Sequence, residues 1–228
     1  MLSARIGQQE LRIADLPANR HEAQDLSAIP GARPNLAIFS PETIPLKLPE
    51  AIELIEPGIP RGGGTWAELG AGRGLFTRAL ATLLGPGGKV VAVDRDAAAV
   101  AELRFPLPST PGELAPIVAI ESDYHDIPTI ASVVGVPPDG VLLANALHFA
   151  VDPAPFIAKI AAWLRPGGRL VVVEYDGRPA SRWVPYPVPL ARLRAIAAPT
   201  ELGPPHMIGE RRSAYGGIMY CAMLQRDQ

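Results

Sequence analysis

A glycine-rich turn that directly follows a short apolar run is the feature that most constrains the fold of this chain. Thr65–Leu69 is predicted to be a strand, the turn "GAGRG" spans residues 70–74, and helical spacing of apolar residues begins at Leu75. Glycines at such a junction let the backbone approach a ligand closely and adopt torsion angles that other residues resist. In open α/β sheets, ligands bind beyond the carboxyl ends of the strands. The pattern therefore predicts an α/β sheet with a binding cleft above this turn.

The rest of the chain alternates between short apolar runs and helical segments. Further strands are predicted at Lys89–Val93, Ile117–Ile120, Val141–Ala144 and Leu170–Val173, and helices at Leu75–Leu84, Ala97–Arg104, Phe156–Leu164 and Val188–Ala197. The apolar runs are continuous, which indicates strands buried on both faces of a parallel sheet. Two last strands, His206–Tyr215 and Gly217–Leu224, are joined by a tight turn. We expect a Rossmann-like doubly wound α/β sheet of seven strands, mostly parallel, with a C-terminal antiparallel hairpin.

Residues 1–48 differ from the rest of the chain in their repeated prolines, which exclude long helices and central strands. Two interpretations stay open for this segment: an N-terminal extension that covers the active site, and a partly disordered tail. A short helix is predicted at Glu50–Ile55, and residues 49–228 are predicted to form the ligand-binding domain.

Composition restricts the class of partner. The formal net charge of −2 gives no electrostatic reason to expect a nucleic-acid partner. A single cysteine, Cys221, excludes an intrachain disulfide and suits a reducing compartment. No apolar run is long enough for a membrane span, and the first residues lack the apolar core of a signal peptide. We expect a cytoplasmic chain with a small-molecule substrate, no membrane partner and no metal, and the sequence leaves a homodimer open.

The acid before the glycines restricts the chemical class of ligand that the turn can bind. The pattern from Glu68 to Gly74 is E-x-G-x-G-x-G, whereas the nicotinamide fingerprint G-x-G-x-x-G would require a glycine where Leu75 stands. A carboxylate at this point would repel a pyrophosphate and attract an ammonium group. S-adenosylmethionine fits that preference, since it carries an ammonium and a sulfonium and has no phosphate.

Three more polar residues follow successive predicted strands. Asp94 comes about 20 residues after the glycines, where an acid can accept hydrogen bonds from both ribose hydroxyls. Asp123 ends the third strand and can accept a hydrogen bond from an adenine amine, and Asn145 leaves the fourth strand toward the same cleft. Each signal is weak alone, but their order at consecutive strand ends is difficult to produce by chance.

Taken together, "AELGAGRG", "VVAVDRD", "SDYHDIP", "ANALHF" and "WLRPGGRLVVVEY" resemble the class I S-adenosylmethionine-dependent methyltransferases, from about Thr65 to Val173. The resemblance implies S-adenosylmethionine as the cofactor. It also implies a set of binding residues: Gly70, Ala71, Gly72 and Gly74 at the methionine portion, Glu68 near the ammonium, Asp94 at the ribose, Arg95 against the adenine, Asp123 and Tyr124 at the adenine edge, and Asn145 at the methionine end.

The implied reaction is an in-line displacement, in which holding the nucleophile and the methyl group in line supplies much of the catalysis. A general base helps only when the nucleophile carries a proton that must be removed. His148 follows the fourth strand and is the candidate base or substrate-positioning residue, with a hydrogen-bonded cleft wall as the alternative. His125 is expected to be structural or exposed, and His206 is a weaker candidate for the rim of the site.

The leading prediction is a methyltransferase that acts on a small molecule by O-, N- or C-methylation. The first alternative is a non-catalytic methyltransferase-like module that binds the cofactor or works through a partner. The second and weaker alternative is an NAD(P)-dependent reductase, against which stand Leu75 at the third glycine position and the absence of a Tyr-x-x-x-Lys pair. The sequence predicts neither the acceptor nor the atom that is methylated.

Overall fold

Seven strands and six α-helices occupy the described part of the chain. The computed structural model describes residues 46–104, 113–214 and 216–228. The strands are β1 (Gly64–Leu69), β2 (Gly88–Asp94), β3 (Ile117–Glu121), β4 (Gly140–Ala144), β5 (Arg169–Asp176), β6 (His206–Arg212) and β7 (Ile218–Gln225). The helices are α1 (Leu48–Ile55), α2 (Leu75–Leu84), α3 (Ala97–Arg104), α4 (Ile127–Val134), α5 (Ala154–Trp163) and α6 (Leu190–Ala197).

All seven strands form one sheet in the order β3-β2-β1-β4-β5-β7-β6. Neighbouring strands from β3 to β5 are parallel, and β7 lies antiparallel between β5 and β6. Because the parallel strands share one direction, the carboxyl ends of β1, β2, β3 and β4 meet at the same edge of the sheet. The predicted mixed sheet with its C-terminal antiparallel hairpin is confirmed.

Each face of the sheet has its own hydrophobic core, because successive strand residues point to opposite sides. On one face, Leu69 and Val93 pack with residues of α4, α5 and α6. On the other face, Trp66 and Val90 pack with residues of α1 and α2. Strands buried on both faces require apolar residues at every position, which explains the continuous runs seen in the sequence.

The sheet differs from the prediction in several details, among them the end of β6, which lies at Arg212 and not at Tyr215. The expectation of burial on both faces is wrong for β3, which lies at an edge and leaves Val118 37% exposed. Strand β5 continues to Asp176, three residues past its predicted end at Val173, and so includes Glu174 and Tyr175. The antiparallel partner β7 pairs with β5 along this extension, where Glu174 is opposite Tyr220.

Helix α4 was not predicted. Its sequence "IPTIASVV" is rich in β-branched residues, which favour strands. Asp126 stabilises its first turn by accepting a hydrogen bond from the backbone N–H of Thr129, and Pro128 lies in that first turn, where proline is tolerated. The helix packs Ile127 and Ile130 into the core, so tertiary burial overrides the intrinsic preference of the segment.

The predicted N-terminal extension lies almost wholly outside the described residues, so its placement over the active site and the domain boundary at residue 48 stay predictions. Helix α1 begins at Leu48, two residues before the predicted start. Within residues 46–104, 113–214 and 216–228, no helix is long and apolar enough to cross a membrane.

Candidate active site

The turn between β1 and α2 is held in the conformation that its glycines allow. Gly70 and Gly74 have φ values of 83° and 81°, in the left-handed region that favours glycine. A Cβ at Gly70 would lie 2.8 Å from the Cβ of Ala146, and one at Gly74 would lie 2.1 Å from Leu103. The backbone N–H groups of Gly70 and Ala71 both donate to the carbonyl of Val93, 2.9 Å away. The turn therefore lies close to β2 and β4, with its backbone facing the cleft.

Asp94 links the turn to the end of β2. Its Oδ2 accepts a hydrogen bond from the backbone N–H of Gly72 at 2.7 Å, and its Oδ1 accepts one from Asp96 at 2.9 Å. Each carboxylate oxygen has a further lone pair, so the group can still accept hydrogen bonds from a ligand. The residue predicted for ribose binding thus also fixes the glycine turn.

Glu68 lies at the end of β1 and is 1% exposed. The hydroxyl of Thr77 on α2 donates a hydrogen bond to its Oε2. Burial raises the pKa of the Glu68 carboxyl to about 8, against the lowering effect of the Thr77 hydrogen bond. At neutral pH the group is therefore mostly protonated in the free protein, which weakens the argument that a negative charge here repels phosphate.

The third strand end contributes a hydrogen-bonded acid and a stack of rings. Asp123 Oδ1 accepts a hydrogen bond from the backbone N–H of His125 at 2.9 Å, and the ring atom His125 Nδ1 also lies 2.9 Å from Asp123 Oδ1. The backbone N–H of His125 holds the pKa of the Asp123 carboxyl below its usual value. The Tyr124 hydroxyl donates to the carbonyl of Ala146 at 3.1 Å, and its ring lies 5.4 Å from that of Phe156. His125 is part of this stack and partly exposed, as expected for a structural residue.

Asn145 is the strained residue of the site. Its φ of 54° is the sole positive value at a non-glycine position within the described ranges. Its backbone N–H donates to the carbonyl of Val173 at 2.9 Å, but its side-chain Oδ1 is buried and has no hydrogen-bond partner. Left-handed backbone at a non-glycine residue and an unpaired buried acceptor both cost stability, and such costs concentrate at functional sites.

Two neighbouring cavities meet at Asn145 and Phe149. The first, here called the glycine-loop cavity, has a volume of about 670 Å³ and extends along the carboxyl ends of β1 to β4. The structure brings all ten residues predicted for the cofactor to its walls: Glu68, Gly70, Ala71, Gly72, Gly74, Asp94, Arg95, Asp123, Tyr124 and Asn145. The second, here called the aromatic cavity, has a volume of about 510 Å³ and is lined by Asn145, His148, Phe149, Tyr175, Arg178, Trp183 and Val184.

A buried pair of titratable residues forms one wall of the aromatic cavity. His148 is 3% exposed and Glu174 is fully buried. His148 Nδ1 lies 2.8 Å from Glu174 Oε2, and the His148 backbone N–H donates to Oε1 at 3.1 Å. A carboxylate at Nδ1 favours the tautomer in which Nδ1 carries the proton, so Nε2 is the ring atom that can accept one. Glu174 therefore orients His148 both through its ring and through its backbone.

Sequence reasoning missed the roles of Glu174, Phe149 and Trp183 in the aromatic cavity. The signal that could have found Glu174 is a lone acid inside the apolar run "VVVEY", since a buried charge requires a partner. The weaker candidate His206 is not near either cavity. It begins β6 opposite Met223, close to the amino end of β5, and so lies at the other edge of the sheet.

Comparisons with known proteins agree with this geometry. Residues 67–172 match the family model described as "Methyltransferase domain". An uncharacterized methyltransferase of Mycobacterium tuberculosis is 39% identical over 125 residues, which cover 55% of this chain and 44% of that protein. The ribosomal RNA small subunit methyltransferase H of Thermomicrobium roseum is 36% identical over 98 residues, which cover 42% of this chain and 29% of that protein. The chain thus spans less than half the length of these curated relatives.

A solved structure shows the same fold. The 1,6-didemethyltoxoflavin-N1-methyltransferase of Burkholderia thailandensis, determined with 1,6-didemethyltoxoflavin and S-adenosylhomocysteine, aligns with a TM-score of 0.54 at 18% identity, covering 79% of this chain and 77% of that chain. The sheet order, the glycine turn and the family match define a Rossmann-like methyltransferase fold. Residues 67–172 thus match a methyltransferase domain and lie within a sheet of Rossmann-like strand order.

Proposed function

We propose that this chain transfers a methyl group from S-adenosylmethionine to a small molecule, with the cofactor in the glycine-loop cavity and the acceptor in the aromatic cavity. The observation that carries the proposal is Asn145. It has a strained backbone and a buried side-chain oxygen without a hydrogen-bond partner, and it lies where the two cavities meet. A methyl donor and its acceptor require such a junction.

The residues of the glycine-loop cavity fit the cofactor. The unpaired Oδ1 of Asn145 can accept a hydrogen bond from the cofactor's ammonium, which would remove an unsatisfied-group penalty of about 1–3 kcal/mol. The turn from Gly70 to Gly74 presents backbone to the methionine portion, and Asp94 retains lone pairs for the ribose hydroxyls. When bound, S-adenosylmethionine supplies a methyl group activated by the positive charge on sulfur.

Glu68 is proposed to change its protonation state when the cofactor binds. In the free protein its buried carboxyl keeps that proton at neutral pH, because its pKa is raised to about 8. A cationic ammonium nearby would favour the ionised form and supply the opposite charge that a buried carboxylate requires. We therefore assign Glu68 to electrostatic support of the cofactor's amino end, together with Thr77, which donates to it.

His148 is the proposed catalytic base. It lines the aromatic cavity, and Glu174 binds its Nδ1 side, which leaves Nε2 for an acceptor proton. The pair Glu174–His148 has the arrangement of a base oriented by a carboxylate, which serves acceptors with O–H or N–H groups. A base is of no use for an acceptor that is already deprotonated, so the pair favours O- or N-methylation.

A small acceptor fits the structure better than a nucleic acid. The aromatic cavity holds roughly the volume of a one- or two-ring compound, and one charged residue, Arg178, is among its lining residues. The sequence has 21 basic and 23 acidic residues, so no excess of positive charge is available for a phosphate backbone.

Calorimetry on the full chain tests the cofactor assignment. S-adenosylhomocysteine, the demethylated product, is expected to bind with measurable heat, whereas NADH is expected to give none. Release of S-adenosylhomocysteine from S-adenosylmethionine in the presence of phenols and amines then tests turnover. Binding of NADH without binding of S-adenosylhomocysteine would overturn the proposal, and cofactor binding without turnover on any acceptor would favour the non-catalytic module.

A further inference from the structure

We propose that the acceptor carries a flat aromatic ring that packs against Phe149 and Trp183, and that Arg192 positions the two chain segments that bear these side chains. The inference rests on the proposed function, because it takes the aromatic cavity as the acceptor site. Two kinds of observation support it. The first is the set of aromatic side chains that line the cavity, and the second is the set of hydrogen bonds that connect the segments carrying them.

The lining of the aromatic cavity indicates a flat ligand. Phe149, Tyr175 and Trp183 are among its described lining residues. Phe149 and Trp183 are 52% and 64% exposed, although aromatic side chains usually bury most of their surface. Exposed apolar side chains that line one cavity indicate a ligand that covers them. Aromatic side chains contact flat rings in offset-stacked or edge-to-face geometry, so the acceptor is expected to have such a ring.

Phe149 places this ligand beside the cofactor. It lines both the aromatic cavity and the glycine-loop cavity, whereas Trp183 lines only the aromatic cavity. A ring that packs against Phe149 would therefore lie next to the junction of the two cavities, where a methyl acceptor must be. The aromatic cavity has a volume of about 510 Å³, which is within the range of small-molecule sites and suits a ligand of one or two rings.

The two exposed rings lie on segments that are distant in sequence but joined in space. One segment follows β4 and the other follows β5. The backbone N–H of Tyr186 in the second segment donates to the carbonyl of His148 in the first, at 3.0 Å. Within the second segment, the backbone N–H groups of Ser181 and Val184 each donate to the other's carbonyl, at 3.0 and 3.1 Å. The backbone that carries the rings is thus connected before a ligand binds.

Arg192 on α6 joins the same two segments through its side chain. Its Nη2 donates to the carbonyl of Val151 at 3.1 Å, and its Nη1 donates to the carbonyls of Tyr186 and Pro187 at 3.1 and 2.8 Å. Arg192 lines neither cavity. A binding site whose backbone is already ordered loses less entropy when a ligand binds. Arg192 is therefore assigned as a positioning residue that supports acceptor binding without contact to the acceptor.

Calorimetry on the full chain saturated with S-adenosylhomocysteine tests the flat ring. Phenol and 2-naphthol are titrated beside cyclohexanol and decahydro-2-naphthol, which keep the hydroxyl and the carbon count but have no flat ring. Apolar burial alone gives the saturated compounds no disadvantage. At least one aromatic compound is expected to bind about ten-fold more tightly than its saturated counterpart. Equal affinities, a preference for a saturated ring, or no binding of any of the four would overturn the inference.

A variant of Trp183 assigns the preference to a side chain. Trp183→Ala is expected to weaken binding of the tighter aromatic compound about ten-fold, and Trp183→Phe to restore most of it, because phenylalanine retains a flat ring. Met207→Ala is the control, since Met207 is also exposed but lines neither cavity. A Trp183→Ala variant that binds the aromatic compound normally would contradict the packing.

Arg192→Met tests the positioning role, because methionine removes every N–H donor and keeps an unbranched side chain. Affinity for the aromatic compound is expected to fall about five-fold, while affinity for S-adenosylhomocysteine changes much less. Arg192→Lys retains a charged donor and should restore part of the loss. Arg194→Met is the control, since Arg194 is an exposed arginine on the same helix. Lower thermal stability with normal affinity for the aromatic compound would give Arg192 a structural role only.

Contact between two copies of the chain is the other use that exposed rings could have. Sedimentation velocity detects it: a concentration-dependent dimer that Trp183→Ala abolishes, without any preference for flat rings, would overturn the inference. Failure of S-adenosylhomocysteine to bind would overturn the proposed function itself. Normal binding of S-adenosylhomocysteine without preference for an aromatic compound would overturn only the acceptor class, so the two failures are distinguishable.

Discussion

The glycine-loop cavity and the aromatic cavity are built in different ways. The first is formed largely by backbone and by single polar residues at the ends of four adjacent strands, β1 to β4. The second is formed by side chains from the 145–149 segment and from residues 175–184, which are distant in sequence. A site made of strand ends is determined by the fold and suits a cofactor that many proteins share. A site made of side chains can change without altering the fold, which suits the acceptor role proposed for the aromatic cavity.

The largest expected effect lies in the aromatic cavity. His148→Ala removes the proposed base, and kcat with an O–H or N–H acceptor is expected to fall by about 10²–10⁴-fold. The affinity for S-adenosylhomocysteine should stay unchanged, because His148 lines only the aromatic cavity. Steady-state assays of S-adenosylhomocysteine release measure kcat, and calorimetry measures the affinity for S-adenosylhomocysteine. An undiminished kcat would remove the catalytic role of His148.

Glu174→Gln separates positioning from packing. Both Glu174 oxygens accept hydrogen bonds from His148, and glutamine would replace one of them with an N–H group that faces a donor. We expect kcat to fall and the pH–rate profile to shift, while KM changes little. A lower stability with an unaltered profile would mean that Glu174 only supports the core.

On the cofactor side, the largest effect is expected from the glycine turn. Gly70→Val places a branched side chain at a position with φ of 83°, where a Cβ would already lie 2.8 Å from that of Ala146. Affinity for S-adenosylhomocysteine is expected to fall by about 100-fold or more, because the turn must move to relieve this contact. Calorimetry measures the loss, and Gly203→Ala is the control because its Cβ would have an ordinary 3.5 Å contact. Normal affinity would show that the turn does not approach the cofactor.

A smaller effect on the same cavity is expected from Asp94→Ala. The change removes the proposed ribose acceptor and the 2.7 Å hydrogen bond from Gly72. Affinity for S-adenosylhomocysteine should weaken by about 1–3 kcal/mol. Asp94→Asn keeps one oxygen for Gly72 and should lose less. If both variants bind normally, Asp94 has no role at the ribose.

The contrast between the cavities also explains which parts of the fold and of the site could be predicted from the sequence. The glycine turn, Asp94, Asp123 and Asn145 are local signals, because each directly follows an apolar run that ends at the same sheet edge. Their convergence follows from parallel strand topology alone. The boundaries of α2 and α3 were predicted to the residue, since Ala-rich and Leu-rich helical spacing is unambiguous there.

The parts of the site and the fold that were not predicted depend on tertiary contacts, which the spacing of residues along the sequence does not specify. Glu174 lies in an apolar run, and its pairing with His148 joins residues that are 26 positions apart. Trp183 lines the aromatic cavity next to Val184, which is buried in the core. Helix α4 forms from β-branched residues because the core buries them. A local pattern can mark such a residue, as the lone acid in "VVVEY" marks Glu174, but it does not identify the tertiary contact that the residue makes.

The last expected effect concerns stability and not binding, and it compares the two buried acids. Glu68 has one hydroxyl partner, whereas Glu174 has two N–H groups of His148. Because the pKa of Glu68 rises from 4.5 to about 8 on folding, the folded state holds a proton that the unfolded state releases between these pH values. Stability should therefore fall as pH rises from about 4.5 to 8, with a contribution of up to roughly 1.4 kcal/mol per pH unit from this group.

Glu68→Gln should remove this slope, because the amide cannot ionise, and the variant should gain stability over the parent above pH 8. Urea unfolding of the cofactor-free chain from pH 5 to 9 measures the difference. Glu53→Gln on the exposed face of α1 is the matched control and should leave the slope intact. Parallel pH profiles for the parent and Glu68→Gln would mean that Glu68 is ionised in the free protein. The cofactor would then bind beside a carboxylate that is already ionised. The sequence-based argument that Glu68 attracts an ammonium and repels a pyrophosphate would then hold in full.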